Sequence, residues 1–222
     1  MAGILFIISA PSGSGKSTLV SEVRRLVEGL EFSISYTTRD PRGSEENGRE
    51  YWFTDRAEFE RMIAAGEFLE WAKVFGSNYY GTAMSALDHA RAAGHDLLLD
   101  IDVQGALQVM KKVPGAVSIF ILPPSPQVLE RRLRNRSQAE GVTDEAVIAA
   151  RLSQAREELA HLSDYKYALV NDVLDQAASE MRAIVLDARG EDGQESAVAA
   201  SCRTTSHSER LQSALASFGL TS

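Results

Sequence analysis

The chain has 222 residues, 44% of them hydrophobic and 24% charged, an ordinary globular balance. Asp and Glu outnumber Lys and Arg by 31 to 23, for a net charge of −8, which argues against a protein whose main task is to grip a nucleic acid polymer or an anionic membrane. The single cysteine, Cys202, excludes an intrachain disulfide and a multi-cysteine metal site, and no apolar run is long enough to span a bilayer, so a soluble, cytoplasmic protein is expected.

Residues 4–8 (Ile-Leu-Phe-Ile-Ile) read as a buried strand, closed by a Pro/Ser/Gly cluster at 11–15. From Lys16 the period changes: Leu19, Val20, Val23, Leu26 and Val27 share one helical face. Phe32 to Thr38 is a short strand or an extended loop, followed by turn signals at 40–43 and 47–48. Asp55 and Glu58 have capping-box spacing, and Phe59, Met62 and Ile63 give that helix its apolar stripe. Glu67 to Tyr80 is aromatic and β-prone, and a helix over 83–93 stops at Gly94.

Residues 97–101 and 117–122 are further apolar runs without alternation, the mark of strands covered on both faces in a parallel α/β sheet. A helix follows the first (Val103, Ala106, Leu107, Met110). Two helices follow the second, joined by an irregular, charged segment at 135–144. Tyr167 to Val170 is a short strand, and Leu174 to Val185 carries a last helical face. Residues 189–222 are rich in Gly, Ser, Thr, Ala and Gln, so a weakly ordered tail, dispensable for turnover, is expected there.

The strongest local signal is Ala10-Pro11-Ser12-Gly13-Ser14-Gly15-Lys16-Ser17-Thr18, the spacing of a phosphate loop with alanine at the first glycine position. Small residues let backbone N–H groups converge on phosphate oxygens, and the helix that follows adds its positive end. Lys16 offers an ammonium to the β- and γ-phosphates and Ser17 a hydroxyl to Mg²⁺. This motif specifies a nucleoside triphosphate and leaves the second substrate open.

Three further groups stand out. Arg39 and Arg42, stiffened by Pro41 and with Tyr51 nearby, fit either one phosphate held by bidentate bonds or a solvated basic turn. Glu70 is an acid between Leu69 and Trp71, in a block that reads as a half-buried strand and hairpin. Asp100 and Asp102 close a strand at the edge where α/β sheets hold ligands, although Asp102 is also placed to cap the next helix.

Taken together the motifs resemble guanylate kinase. The matching pieces are the loop at 9–18, Ser35 to Arg42, 47–51 (Asn-Gly-Arg-Glu-Tyr), 67–72, 78–82, 100–105 and Val170-Asn171-Asp172, in the family's order over about residues 3–187. The resemblance implies an α/β fold with a P-loop NTPase parallel sheet flanked by helices. The core is expected at 1–32, 97–125 and 161–188, an inserted GMP-binding lobe at 33–96, and a small helical lid at 126–160. It implies reversible transfer of phosphate from ATP to GMP, giving ADP and GDP, with Mg²⁺.

By the same matching, Ser35, Arg39, Arg42, Tyr51 and Tyr80 surround the GMP phosphate, and Glu70, Thr82 and Asp102 read guanine. Asp100 helps to place Mg²⁺ through water. Arg136, Arg151 and Arg132 reach the ATP phosphates, and Asn171 lies near adenine. The chain departs from the family pattern at the lid, about four residues longer between Arg136 and Arg151. Transfer needs no protein base here, because a phosphate monoester with a second pKa of about 6 is already ionised near neutrality. The four histidines, 89, 95, 161 and 207, are therefore expected on the surface. The rival expectations are a P-loop kinase with another phosphate acceptor and a non-catalytic binding module of the same fold.

Overall fold

In the computed structural model, residues 3–74, 78–139, 144–191, 193–206 and 208–220 are described. Buried runs become strands β1 (Leu5–Ser9), β2 (Leu30–Phe32), β7 (Asp96–Asp100), β8 (Val117–Leu122) and β9 (Tyr167–Val170) of a five-stranded sheet, ordered β2-β7-β1-β8-β9. The β2–β7 and β8–β9 pairs are parallel, and β1 and β8 are buried at every position, as strands covered on both faces must be. The chain divides into two compact units, 1–7 with 29–116 and 8–28 with 117–222, and the division passes through β1.

The first unit carries a second sheet, ordered β4-β3-β6-β5, from β3 (Tyr36–Thr37), β4 (Trp52–Phe53), β5 (Phe68–Val74) and β6 (Asn78–Ala83). Helix α2 (Arg56–Ala64) begins where Asp55 accepts the Glu58 N–H at 2.8 Å, the reciprocal acid spacing of a capping box. Its buried Phe59 and Met62 pack with Phe68 and Ala83, and Phe59 stacks on Phe68 and Tyr79 at 4.4 and 5.2 Å between ring centres. This small aromatic core accounts for the aromatic block at 67–80. Helix α3 (Met84–Ala93) ends at Gly94, and α4 (Val103–Lys112) is capped by Asp102.

The second unit contains α1 (Lys16–Leu26), the helices α5 (Pro126–Ala139) and α6 (Glu145–Leu159), a short 3-10 turn at Leu162–Asp164, and α7 (Leu174–Ala188). The segment at 135–144, expected to be irregular, is helical as far as Ala139, because the α5 stripe of Leu129 and Leu133 is extended by the buried Ser137. Asp144 caps α6 by accepting the Ala146 N–H. Residues 140–143 of that segment lie outside the described residues.

The expectation that the tail is weakly ordered is corrected. Beyond 188 the chain forms α8 (Gln194–Ser201) and α9 (Glu209–Ser217), with Ala199, Cys202, Leu211, Ala214 and Leu215 buried. Composition misled because alanines, which raise hydropathy little, allow α8 to pack closely on α7, itself lined by Ala177, Ala178 and Ala183. His89 and His161 are exposed and His95 pairs with Glu31 at 2.5 Å; His207 lies outside the described residues.

Candidate active site

In the second unit the loop between β1 and α1 has the geometry its spacing requires. Gly13 and Gly15 take φ of 88° and 81°, the left-handed region that side chains avoid. Gly15 is also the residue before α1, and a Cβ there would sit 2.6 Å from the Asn171 amide. Lys16 opens the helix, and Ser17 and Thr18 follow in its first turn, both exposed. The Ser14 hydroxyl is buried and has no partner among the described residues.

Two side chains hold this loop from behind. Asn171, the residue just after β9, is buried and donates its amide to the Ser14 carbonyl at 2.8 Å. Arg132 on α5 donates to the same carbonyl at 3.2 Å and to the Asn171 carbonyl at 3.1 Å. Burial lowers the Arg132 pKa, but a guanidinium remains charged at any physiological pH. Arg136, one turn along α5 and exposed, reaches the Ser12 hydroxyl at 3.4 Å. Arg151 on α6 donates to Ser137 on α5 at 2.8 Å. Ala10 and Pro11 lead into the loop, where the Pro11 carbonyl accepts the Ser14 N–H.

In the first unit, register builds the other cluster. Opposite residues on neighbouring strands share a face. Glu70 of β5 lies opposite Thr82 of β6, and the β3–β6 pairing (Tyr36 with Gly81, Thr37 with Tyr80) carries the row on to Ser35, whose hydroxyl is 3.4 Å from that of Thr82. Glu70 to Val74 keep one continuous register with β6, which sets Glu70 opposite Thr82, and a β-bulge at Leu69 then offsets Phe68. Glu70 is only 4% exposed, and Leu69 and Phe68 are buried beside it.

Burial is the main cause that pushes the Glu70 carboxyl up to about 7; the Thr82 hydroxyl and N–H pull it down, Asp102 raises it further and Lys112 lowers it. Asp102 caps α4, accepting the Gly105 N–H at 2.7 Å, as one of the two expected readings had it. Gly105 has no side chain where one would collide, since its Cβ would lie 2.8 Å from the Glu70 carboxylate. Asp100 closes β7 and is half-buried.

Around Arg39 the same unit gathers charge and aromatic rings. Its guanidinium donates to both Glu45 oxygens at 2.9 and 3.0 Å and to the Tyr80 hydroxyl at 3.2 Å, and lies 5.3 Å from the Tyr51 ring centre. The Tyr51 and Tyr80 rings meet edge to face at 5.8 Å. Glu45 raises the Arg39 pKa, and Arg39 in turn lowers that of Glu45. The two arginines are engaged differently: Arg42 has an exposed side chain and gives its backbone N–H to Glu45 at 2.8 Å. Sequence reasoning overlooked Glu45 and Gly105, as well as Gln108, which clamps the Trp71 backbone through two hydrogen bonds of 2.9 and 3.3 Å. The acid three residues after Arg42 was the visible signal for Glu45.

A parallel sheet, a glycine loop at the end of its strand β1 and a lysine opening the next helix define a P-loop nucleotide-binding protein of the α/β class. A family model described as guanylate kinase matches residues 3–188. The guanylate kinase of Koribacter versatilis is 58% identical over 189 residues, covering 85% of this chain and 80% of that relative. That of Methylococcus capsulatus is 50% identical over 183 residues, covering 82% and 87%. The crystal structure of guanylate kinase from Anaplasma phagocytophilum matches with a TM-score of 0.63 at 34% identity, covering 86% of both chains. The chain belongs to the guanylate kinase family, and it is an enzyme, a nucleoside monophosphate kinase that passes phosphate between ATP and GMP. Neither a different acceptor nor a non-catalytic role is favoured by these relatives.

Proposed function

We propose a division of labour within this reaction. The loop at 10–18, with Arg132, Arg136, Arg151 and Asn171, binds ATP; Ser35, Arg39, Arg42, Tyr51, Glu70, Tyr80, Thr82 and Asp102 bind GMP. The helical pair at 126–160 serves as the lid and 33–96 as the acceptor lobe. The observation that supports the acceptor half is Glu70, a carboxylate buried to 4% exposure yet supplied with two donors by Thr82. Guanine offers N1–H and N2–H to such an acceptor, whereas adenine offers a lone pair at N1 and is repelled.

Phosphoryl transfer asks the protein for alignment and for compensation of negative charge. Lys16, Arg39, Arg42, Arg136 and Arg151 supply the cations, and the GMP phosphate, already ionised, is the attacking group. Mg²⁺ is the implied cofactor. The donors available to it are oxygens, the Ser17 hydroxyl and, through water, the Asp100 carboxylate, which suits a hard ion that otherwise takes phosphate oxygens and water. When bound, it would draw charge from the phosphates. The reading includes a cytoplasmic location, since its substrates are free nucleotides; among the described residues no helix is long and apolar enough to cross a membrane.

An acceptor panel tests it. With ATP and Mg²⁺, the purified chain is expected to convert GMP to GDP and to leave AMP, CMP and UMP nearly untouched in a coupled ADP assay. Equal turnover of AMP and GMP would remove the guanine role from Glu70.

A further inference from the structure

The family match stops at residue 188, and the described residues after it belong to the unit that holds the phosphate loop. Residues 202–204 run along β9: Ala168 N donates to the Cys202 carbonyl at 2.8 Å, Thr204 N to the Lys166 carbonyl at 3.1 Å, and Tyr167 and Arg203 form an antiparallel bridge. The extension thereby covers the outer edge of a strand at the border of the sheet.

Helix α9 then places Arg210 against the end of that strand. Its guanidinium donates to the Val170 carbonyl, to both carboxylate oxygens of Asp172 and to Glu180 on α7. Val170 and Asp172 flank Asn171, the residue whose amide holds the Ser14 carbonyl and whose own carbonyl is held by Arg132. The three-residue turn is therefore fixed on one side by the phosphate loop and on the other by Arg210. The far end of α9 reaches the same loop by a second route. Phe218 packs on the cluster of Leu129, Leu133 and Ala155 on α5 and α6, and Leu129 and Leu133 are the side chains a Cβ on Gly13 would meet at 3.1 Å.

We propose that the extension is a brace for the ATP-binding loop, with Arg210 and Phe218 as positioning residues for ATP that act through Asn171 and α5. The proposal rests on the reading of the 10–18 loop as the ATP site. A planar fork with charge suits the task, because its five donors in a fixed plane reach a backbone carbonyl, both oxygens of one acid and a second acid at once, whereas an ammonium has three donors and no fixed plane. The site so braced must hold a triphosphate in line, where small displacements are costly.

The full-length chain with Arg210→Met, Arg210→Lys or Phe218→Ala is to be assayed for kcat, KM for ATP and KM for GMP, with melting temperature recorded. Arg210→Met is expected to raise KM for ATP about fivefold or more while KM for GMP stays within about twofold, with partial recovery in Arg210→Lys. Phe218→Ala, at the solvent end of the helix and the milder change, is expected to move the same constant in the same direction. In Arg210→Met the further change Asp172→Asn should add little, since the two residues act through one contact. Unchanged KM for ATP in Arg210→Met and Phe218→Ala, or a rise in both KM values in the same proportion, would overturn the brace. Failure of the unaltered chain to bind ATP in a calorimetric titration would instead strike the reading of the loop itself.

Discussion

At the scale of single residues, the fold and the proposed role of Glu70 make opposite demands on its carboxyl. Its folded pKa of about 7 lies above the ordinary carboxyl value of 4.5, so the native state binds its proton more tightly than the unfolded chain does. That preference stabilises the fold at low pH, declines as pH rises from about 4.5 to 7, and is gone above. The free protein should therefore gain stability at pH 8 on Glu70→Gln, by about 3 kcal/mol if the substitution removes the whole burden. Denaturant melts of the two proteins at pH 5 and pH 8 check this, the gain being confined to the higher pH. Under the proposed guanine role, binding has the opposite need, since two N–H donors are matched best by the ionised carboxylate. KM for GMP should rise about tenfold between pH 8 and pH 6, more steeply than in Glu70→Gln, where only the substrate phosphate titrates. Parallel pH profiles for the two proteins would separate Glu70 from guanine.

Gly105 belongs to the same scale. A methyl there would stand 2.8 Å from the Glu70 carboxylate, with the Asp102 oxygen at 3.3 Å, and helix backbone behind it leaves the acids as the groups that must yield. Gly105→Ala is expected to raise KM for GMP by about tenfold and to leave KM for ATP within error, with the fold intact because alanine favours a helix. Steady-state kinetics with each substrate varied in turn decides it.

Elements whose burial is complete were the most legible. Val117–Leu122 and Tyr167–Val170 stand where unbroken apolar runs placed them, and Asp55 caps α2 as its spacing required. The phosphate loop was legible for a similar reason, since local spacing there is the geometry itself. What escaped was anything set by pairing between strands. No residue type announces that β5 pairs with β6 in the register that sets Glu70 opposite Thr82, or that a bulge at Leu69 follows it. The Arg39–Glu45 pair escaped too, because an acid in a charged turn looks like solvated surface until the fold buries the arginine to 9% side-chain exposure. The loop element itself gives a firm expectation. Gly15→Ala would put a side chain at φ of 81°, costing about 1–2 kcal/mol, and drive its Cβ into the Asn171 amide. ATP binding should fall below detection by calorimetry while GMP binding, built in the other unit, is kept.

For the molecule as a whole, the C-terminal extension changes what the chain's composition means. A region poor in large apolar residues is held by a different currency: alanine-scale helix packing, edge pairing along β9, and the contacts of Arg210 with two acids and a carbonyl. The one cysteine reports on this arrangement. Cys202 is 6% exposed where α8 ends, its carbonyl is bonded to Ala168, and burial, with help from Glu180, pushes its thiol up to about 11. Thiolate, not thiol, attacks disulfide reagents, so two obstacles act together: the group is shielded, and at pH 8 almost all of it is protonated. The native chain should react with an aromatic disulfide reagent at least about 100-fold more slowly than the urea-unfolded chain, which regains an ordinary thiol of pKa near 8.5. Because the docked extension is what buries Cys202, Arg210→Met should speed the native reaction while the unfolded rate stays the same. A native rate equal to the unfolded one would mean that α8 does not rest on α7 in solution, and equal native rates with and without Arg210 would mean that the fork does not hold the extension in place.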